Sequence, residues 1–337
     1  MKKAAGKKLG LTIYLLGFAG ALLFTILLTR EGAHDVFRAV AAAGWWLAVI
    51  PVFHLLPLFL DSLEWWLLFP PESRPGLPNT FWARFLGESF SNLVPAAQVG
   101  GDIVRARIAV IYGTPMAVSA GTVLVDITVS VLIQTLFTLI GVSLLVWVTG
   151  RTNLLWPTLL GAPFAILAVA AFYFVQRWGI FRLFGAIISQ WNKDESWRSL
   201  VLKSGELDQV LRNVYSRIGP LALCCIVTMI SFVTGSLEVW IGLHALGVAA
   251  NFEKALILEC VGQGIQTVLC LVPGALGVRE GGYIIVGGLL GVPGDAAFAL
   301  ALIRRVRELA LGVPGLIAWQ LTEGRHFLRR YGFRTAR

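Results

Sequence analysis

Six long apolar runs organise the chain: Leu9–Leu28, Trp45–Phe69, Met116–Val148, Leu154–Val175, Pro220–Leu246 and Ala296–Leu321. A helix crosses the hydrocarbon core with roughly 20 apolar residues, so each run predicts a transmembrane helix. Two further apolar stretches, Thr80–Tyr112 and Asn251–Val292, are broken by Gly, Pro and charge. They predict helical hairpins that enter the membrane and turn back; the rival reading, that they add full spans, raises the count from six to eight or more. The fold class expected is therefore all-α, a polytopic helix bundle with two broken or re-entrant hairpins, forming one membrane domain.

Composition strengthens this reading. The chain is 57% hydrophobic and 14% charged, against roughly 25% charged in soluble domains. Its 12 Trp suit membrane interfaces. The net charge of +9 sits beside apolar runs, which favours anionic lipid headgroups over nucleic acid. Cys224, Cys225, Cys260 and Cys270 lie in apolar stretches without metal-ligand spacing and are expected as buried thiols.

Lysine and arginine mark the cytoplasmic side. Lys2, Lys3, Lys7 and Lys8 place the N-terminus there, and Arg325, Arg329, Arg330, Arg334 and Arg337 do the same for the tail. The segment 176–219, with seven Lys or Arg against four acids, is expected as a cytoplasmic loop. Leu9–Leu28 is too long for a typical signal core and reads as an uncleaved first span. The expected location is the cytoplasmic (inner) membrane.

The two broken stretches resemble each other. One reads Asn92-Leu-Val-Pro95-Ala-Ala-Gln-Val-Gly-Gly-Asp102, the other Cys270-Leu-Val-Pro273-Gly-Ala-Leu-Gly-Val-Arg-Glu280. Both carry a carboxylate seven residues after the proline, and Glu88 and Gln266 stand seven before it. Paired breaks in corresponding halves are the sequence sign of an inverted repeat, with pseudo-repeats at about 1–150 and 151–337. The freed backbone groups need protein or water around them, which a cavity between the repeats provides.

Ionisable groups inside a membrane cost about 2.5–3.5 kcal/mol on insertion scales unless paired or wet. Asp126, Glu238, Asp102 with Arg105, and Arg279 with Glu280 are such groups. The last span carries Arg304-Arg305-Val-Arg307-Glu308 in its middle. Arg304 and Glu308 are spaced to pair, leaving an excess of arginine that suits an anionic headgroup. Each of these groups also has a plain structural reading as a helix–helix bond, an interface pair or a cap. Glu64 is expected at an interface, and His54 and His244 as ordinary bundle residues. No nucleotide, zinc-protease or nucleophile-elbow motif occurs, and no cofactor or metal is expected.

These residues resemble the lysylphosphatidylglycerol synthase transmembrane-region family, also called flippase-like. The resemblance rests on Asn92, Pro95, Gly101, Asp102 and Arg105 in the first break and on Pro273, Gly274, Gly277 and Glu280 in the second. Asp126 and either Arg304 or Arg305 complete it. With the membrane charges Arg279 and Glu308 added, the candidate substrate site is Asn92, Pro95, Asp102, Arg105, Asp126, Pro273, Gly277, Arg279, Glu280, Arg304, Arg305 and Glu308. The resemblance also implies the movement of polar lipid between leaflets. The stretch from Gln98 to Arg107 looks closest to the branch associated with hopanoid biosynthesis. A hopanoid, largely apolar, fits an arginine-rich site less well than a phospholipid. A membrane-embedded headgroup-modifying enzyme and a scaffold for lipid-synthesis enzymes are the alternatives.

Overall fold

The computed structural model describes residues 41, 43–93, 99–152, 163, 166–167, 170–176, 195–268 and 277–331. Pro95, Pro273, Gly274, Cys270 and the runs Leu9–Leu28 and most of Leu154–Val175 lie outside them. Nine α-helices and one short 3-10 turn have described bounds, residues 170–176 are helical as well, and no strand occurs among the described residues. The helices are α1 (Trp46–Leu68), α2 (Leu77–Leu93), α3 (Val99–Ile111), α4 (Met116–Thr149), α5 (Glu195–Ser216), α6 (Ile218–Ala245), α7 (Phe252–Val268), α8 (Val278–Leu289) and α9 (Gly294–Tyr331). The chain is an all-α membrane bundle, as its apolar runs predict. By length and composition α1, α4 and α6 can each cross a membrane. The last apolar run forms one continuous helix, α9, straight through its charged patch.

Two groups of four helices repeat. The first helices, α1 and α6, have 23 and 28 residues; the second, α2 and α7, have 17 each. The third, α3 and α8, have 13 and 12; the fourth, α4 and α9, have 34 and 38. At 1.5 Å per residue the fourth helices exceed the ~30 Å hydrocarbon core, and the second and third each fall short of it. The short helices pack in pairs, α2 on α3 and α7 on α8, within the two stretches expected to form broken hairpins.

Packing follows the same exchange. α1 lies on α6, α4 on α7, and α9 on α2. Early residues of α1 meet late residues of α6: His54 reaches Glu238, while Asp61 reaches Ser231. Arg217, just before α6, bonds the carbonyls of Leu68 and Phe69 at the end of α1. α1 and α6 are thus antiparallel, and the two halves are inverted with respect to each other.

Close helix approach fixes this arrangement. Gly264 of α7 abuts Thr138 of α4, and Gly315 of α9 abuts Ser89 of α2; a Cβ at either glycine would collide. Gly264 and Ser89 are the thirteenth residues of α7 and α2. Small residues let helix backbones approach where lipid offers no hydrophobic drive between helices. The core divides accordingly, one cluster centred on Trp65, Leu86 and Val125 and another on Val239, Leu258 and Leu300.

The segment 176–219 differs from the loop expected. It contains α5, whose Leu207, Val210, Leu211 and Val214 pack into the first core cluster. These positions repeat with helical period, a pattern that a count of charges alone does not register.

Candidate functional site

The polar residues of the bundle gather on helix faces that meet between the halves. In the first half Asp126, on α4, accepts from Arg105 Nη1 at 2.5 Å and from Arg84 Nη1 at 2.9 Å. Arg105 also binds Asp102 at 2.8 Å, and its guanidinium sits over the Trp65 ring, 5.0 Å from the centroid. Arg84 Nη2 lies 3.5 Å from Glu64 and 3.7 Å from Asp61. Asp61 accepts from Ser231 at 2.5 Å. Four carboxylates therefore surround two guanidinium groups.

In the second half Arg304 binds both oxygens of Glu259 and the Tyr283 hydroxyl, and its Nε is 3.6 Å from Glu238. Tyr283 donates to Glu259 at 3.1 Å. Arg307 Nη1 donates to the two oxygens of Glu238 at 2.6 and 2.8 Å. Arg279 binds Glu308. Arg305 reaches Glu308 at 3.1 Å and Glu280 at 3.4 Å.

The sets correspond position by position. Arg84 and Glu259 are each the eighth residue of their helices; Asp126 and Arg304 are each the eleventh of theirs. The bond between the second and fourth helix is kept while its charges are exchanged. Asp102 and Glu280 both lie in the first turn of the third helices, where the helix dipole favours a carboxylate. Gly277 precedes α8 at φ +74°, a conformation open to glycine at little cost. The helix register pairs Glu88 with Gln263, each the twelfth residue of its helix, rather than with Gln266.

His54 joins the two sets. Its Nδ1 lies 2.9 Å from Glu238 and its Nε2 lies 2.9 Å from Glu88. Asn92 donates to Glu88 at 3.4 Å. His54, Glu88, Ser89 and Asn92 line a cavity of about 10 Å³, together with Leu58 and Phe85. Among the described residues, no group of three or more His, Cys, Asp or Glu could hold a metal ion.

The structure brings Asp102, Arg105 and Asp126 together, and likewise Arg279, Glu280, Arg304, Arg305 and Glu308. Three expectations change. Arg304 and Glu308 do not pair; Arg304 turns to Glu259 and Tyr283, and Glu308 to Arg279 and Arg305. The arginines are not in excess, since Glu238, Glu259, Glu280 and Glu308 match the four of this half. Arg279 and Glu280 are buried against α9 rather than capping a surface helix.

Several residues escaped the sequence reading. Glu64, expected at an interface, is 1% exposed beside Arg84. His54, expected as an ordinary bundle residue, stands at the centre of the network. Arg84, Glu259 and Tyr283 are not among the expected site residues, and Arg307 figures only in the charged patch of the last span. A charge within an apolar helix is a site signal in its own right, and Arg84 and Glu259 both carry it. His244 bonds only its own helix, at the Trp240 carbonyl. Cys224 and Cys260 are buried free thiols, and Cys225 is half-buried.

No curated individual protein matches the chain. Residues 9–315 match the family described as the lysylphosphatidylglycerol synthase TM region. The chain belongs to that family and is a membrane protein of lipid metabolism or transport.

Proposed function

We propose that this protein moves a polar lipid between the leaflets of the cytoplasmic membrane, with both termini on the cytoplasmic side. The observation that carries the reading is the pair of inverted four-helix halves, each with a pair of short helices and a buried ion-paired set. Inverted repeats with discontinuous helices are the architecture of alternating access. Buried charge in such a bundle marks a path for a polar group.

The site would comprise Asn92, Pro95, Asp102, Arg105, Asp126, Pro273, Gly277, Arg279, Glu280, Arg304, Arg305 and Glu308. Arg305 is the natural first contact for a headgroup phosphate. Its Nη2 has no hydrogen-bond partner among the described residues, and its bond to Glu280 is long, at 3.4 Å. A phosphate could take this fork bidentately while Glu308 keeps Arg279. Ten or more buried charges suit a charged headgroup better than a hopanoid. The partners would be membrane phospholipids, together with the enzymes that make them.

The test is a leaflet-resolved lipid analysis of cells with and without the gene. Unchanged totals with an altered distribution support transport. A lipid species missing from the total favours an enzyme or scaffold instead. Undiminished transport after substituting both Arg304 and Arg305 would remove the site assignment.

A further inference from the structure

A neutral imidazole has one N–H donor and one bare nitrogen. His54 presents both nitrogens to carboxylates at 2.9 Å, Nδ1 to Glu238 and Nε2 to Glu88. A carboxylate oxygen without a proton can only accept. Satisfying both contacts therefore requires one proton more than a neutral ring between two carboxylates holds. The Glu88–His54–Glu238 trio binds that proton at the crossing of the two halves.

The proton also has a way to leave. Arg307 Nη1 lies 2.9 Å from His54 Nδ1, because both donate to Glu238. The charged ring donates to Glu238 and Glu88. The neutral ring keeps its Nε2–H on Glu88 and accepts at Nδ1 from Arg307. Both ring nitrogens are hydrogen-bonded in each state, so neither state leaves an orphaned buried nitrogen on the imidazole, which would cost free energy. The cavity lined by His54, Glu88 and Asn92, of about 10 Å³, is close to the size of one water.

Among the described residues, charged groups face His54 from four other helices, and Glu308 lies 3.8 Å from Arg307. α2 contributes Glu88, with Arg84 one turn away; α6 contributes Glu238; α9 contributes Arg307, with Arg304 3.6 Å from Glu238. α4 contributes Asp126, bonded to Arg84 and Arg105, and α1 itself carries Asp61. The asymmetry between the halves points the same way. His54 stands seven residues before Asp61 and Ser231 seven before Glu238, and each bonds the acid of the opposite half. Serine does not exchange a proton near neutral pH, so the site exists once per chain.

We propose that His54 is a reversible proton-binding site, and that losing the proton to water in the cavity lets Arg307 transfer a hydrogen bond from Glu238 to the imidazole. The proton site stands on these hydrogen bonds; its use as the coupling ion rests on the transport reading above.

The test uses the full chain in lipid nanodiscs with 15N-labelled histidine. The chain has four histidines, and the His54 signal is the one lost in His54→Gln. The expected result is an imidazolium that converts to the neutral ring between about pH 5 and about pH 10. Conversion should move by about one pH unit, upward in Arg307→Gln and downward in Glu88→Gln. A His54 that keeps one protonation state across that range, or one indifferent to both substitutions, overturns the inference. A second arm uses vesicles of phosphatidylethanolamine and phosphatidylglycerol carrying tail-labelled phosphatidylglycerol. An imposed pH gradient should change the transfer rate of the native protein and not of His54→Gln. Transfer indifferent to the gradient overturns coupling and leaves the transport reading standing. A titrating His54 in a protein that moves no labelled lipid keeps the proton site and removes the transport reading.

Discussion

Arg84 and Glu259 occupy the same position in corresponding helices of the two halves and carry opposite charge. Each pairs with the eleventh residue of the fourth helix, Arg84 with Asp126 at 2.9 Å and Glu259 with Arg304. The inversion leaves the position of the bond unchanged and reverses its polarity. A buried ion pair adds little net stability relative to a well-packed apolar pair, but losing one partner strands the other. These bonds thus hold the second and fourth helices together only while both members are present.

Breaking one member should therefore be costly and exchange should rescue it. Glu259→Gln is expected to destabilise the detergent-solubilised protein by about 3–5 kcal/mol, since Arg304 loses its main partner. The double variant Glu259→Arg with Arg304→Glu should recover part of that loss. Denaturant unfolding of Glu259→Arg, Arg304→Glu and the double variant gives the coupling; strictly additive losses would show that the pair is not a unit.

The crossing of α2 and α3 should tolerate no added methyl. A Cβ at Gly101 would stand 2.2 Å from the Gly87 carbonyl oxygen, whereas one at Gly205 of α5 meets nothing within 4 Å. Gly101→Ala is expected to cost about 1–3 kcal/mol. Gly205→Ala should be neutral or stabilise by up to about 1 kcal/mol. Thermal unfolding of the two variants side by side checks this, and equal midpoints would contradict the packing.

Gly277 is held at φ +74° before α8, so Gly277→Ala should cost about 1–2 kcal/mol through backbone strain. Amide exchange in the first turn of α8 should quicken in the variant. Unchanged protection there would mean that the turn has another solution.

Asp126 gathers two guanidinium groups. Asp126→Asn keeps the volume but leaves Arg84 and Arg105 without this carboxylate, so it should destabilise the protein and, in the fraction that folds, lower lipid transfer about tenfold. Transfer at the native rate would reduce Asp126 to a structural bond.

The helical membrane class was legible because it rests on apolar length. Half of the polar network was not. Glu259 and Arg307 take their meaning from partners on other helices, and spacing within one helix suggested the wrong partner for Arg304. His54 looked ordinary because nothing in α1 names Glu88 or Glu238, which come from α2 and α6. The loop expected at 176–219 hid α5 because charge masked its apolar face.

The most direct test of lipid movement is reconstitution. The full chain is placed in vesicles of phosphatidylethanolamine and phosphatidylglycerol carrying a fluorescent tail-labelled phosphatidylglycerol, and outer-leaflet label is quenched chemically. The account predicts that nearly all label becomes quenchable with the native protein and about half with Arg304→Ala combined with Arg305→Ala. Label that stays about half protected with the native protein, as in protein-free vesicles, would contradict it.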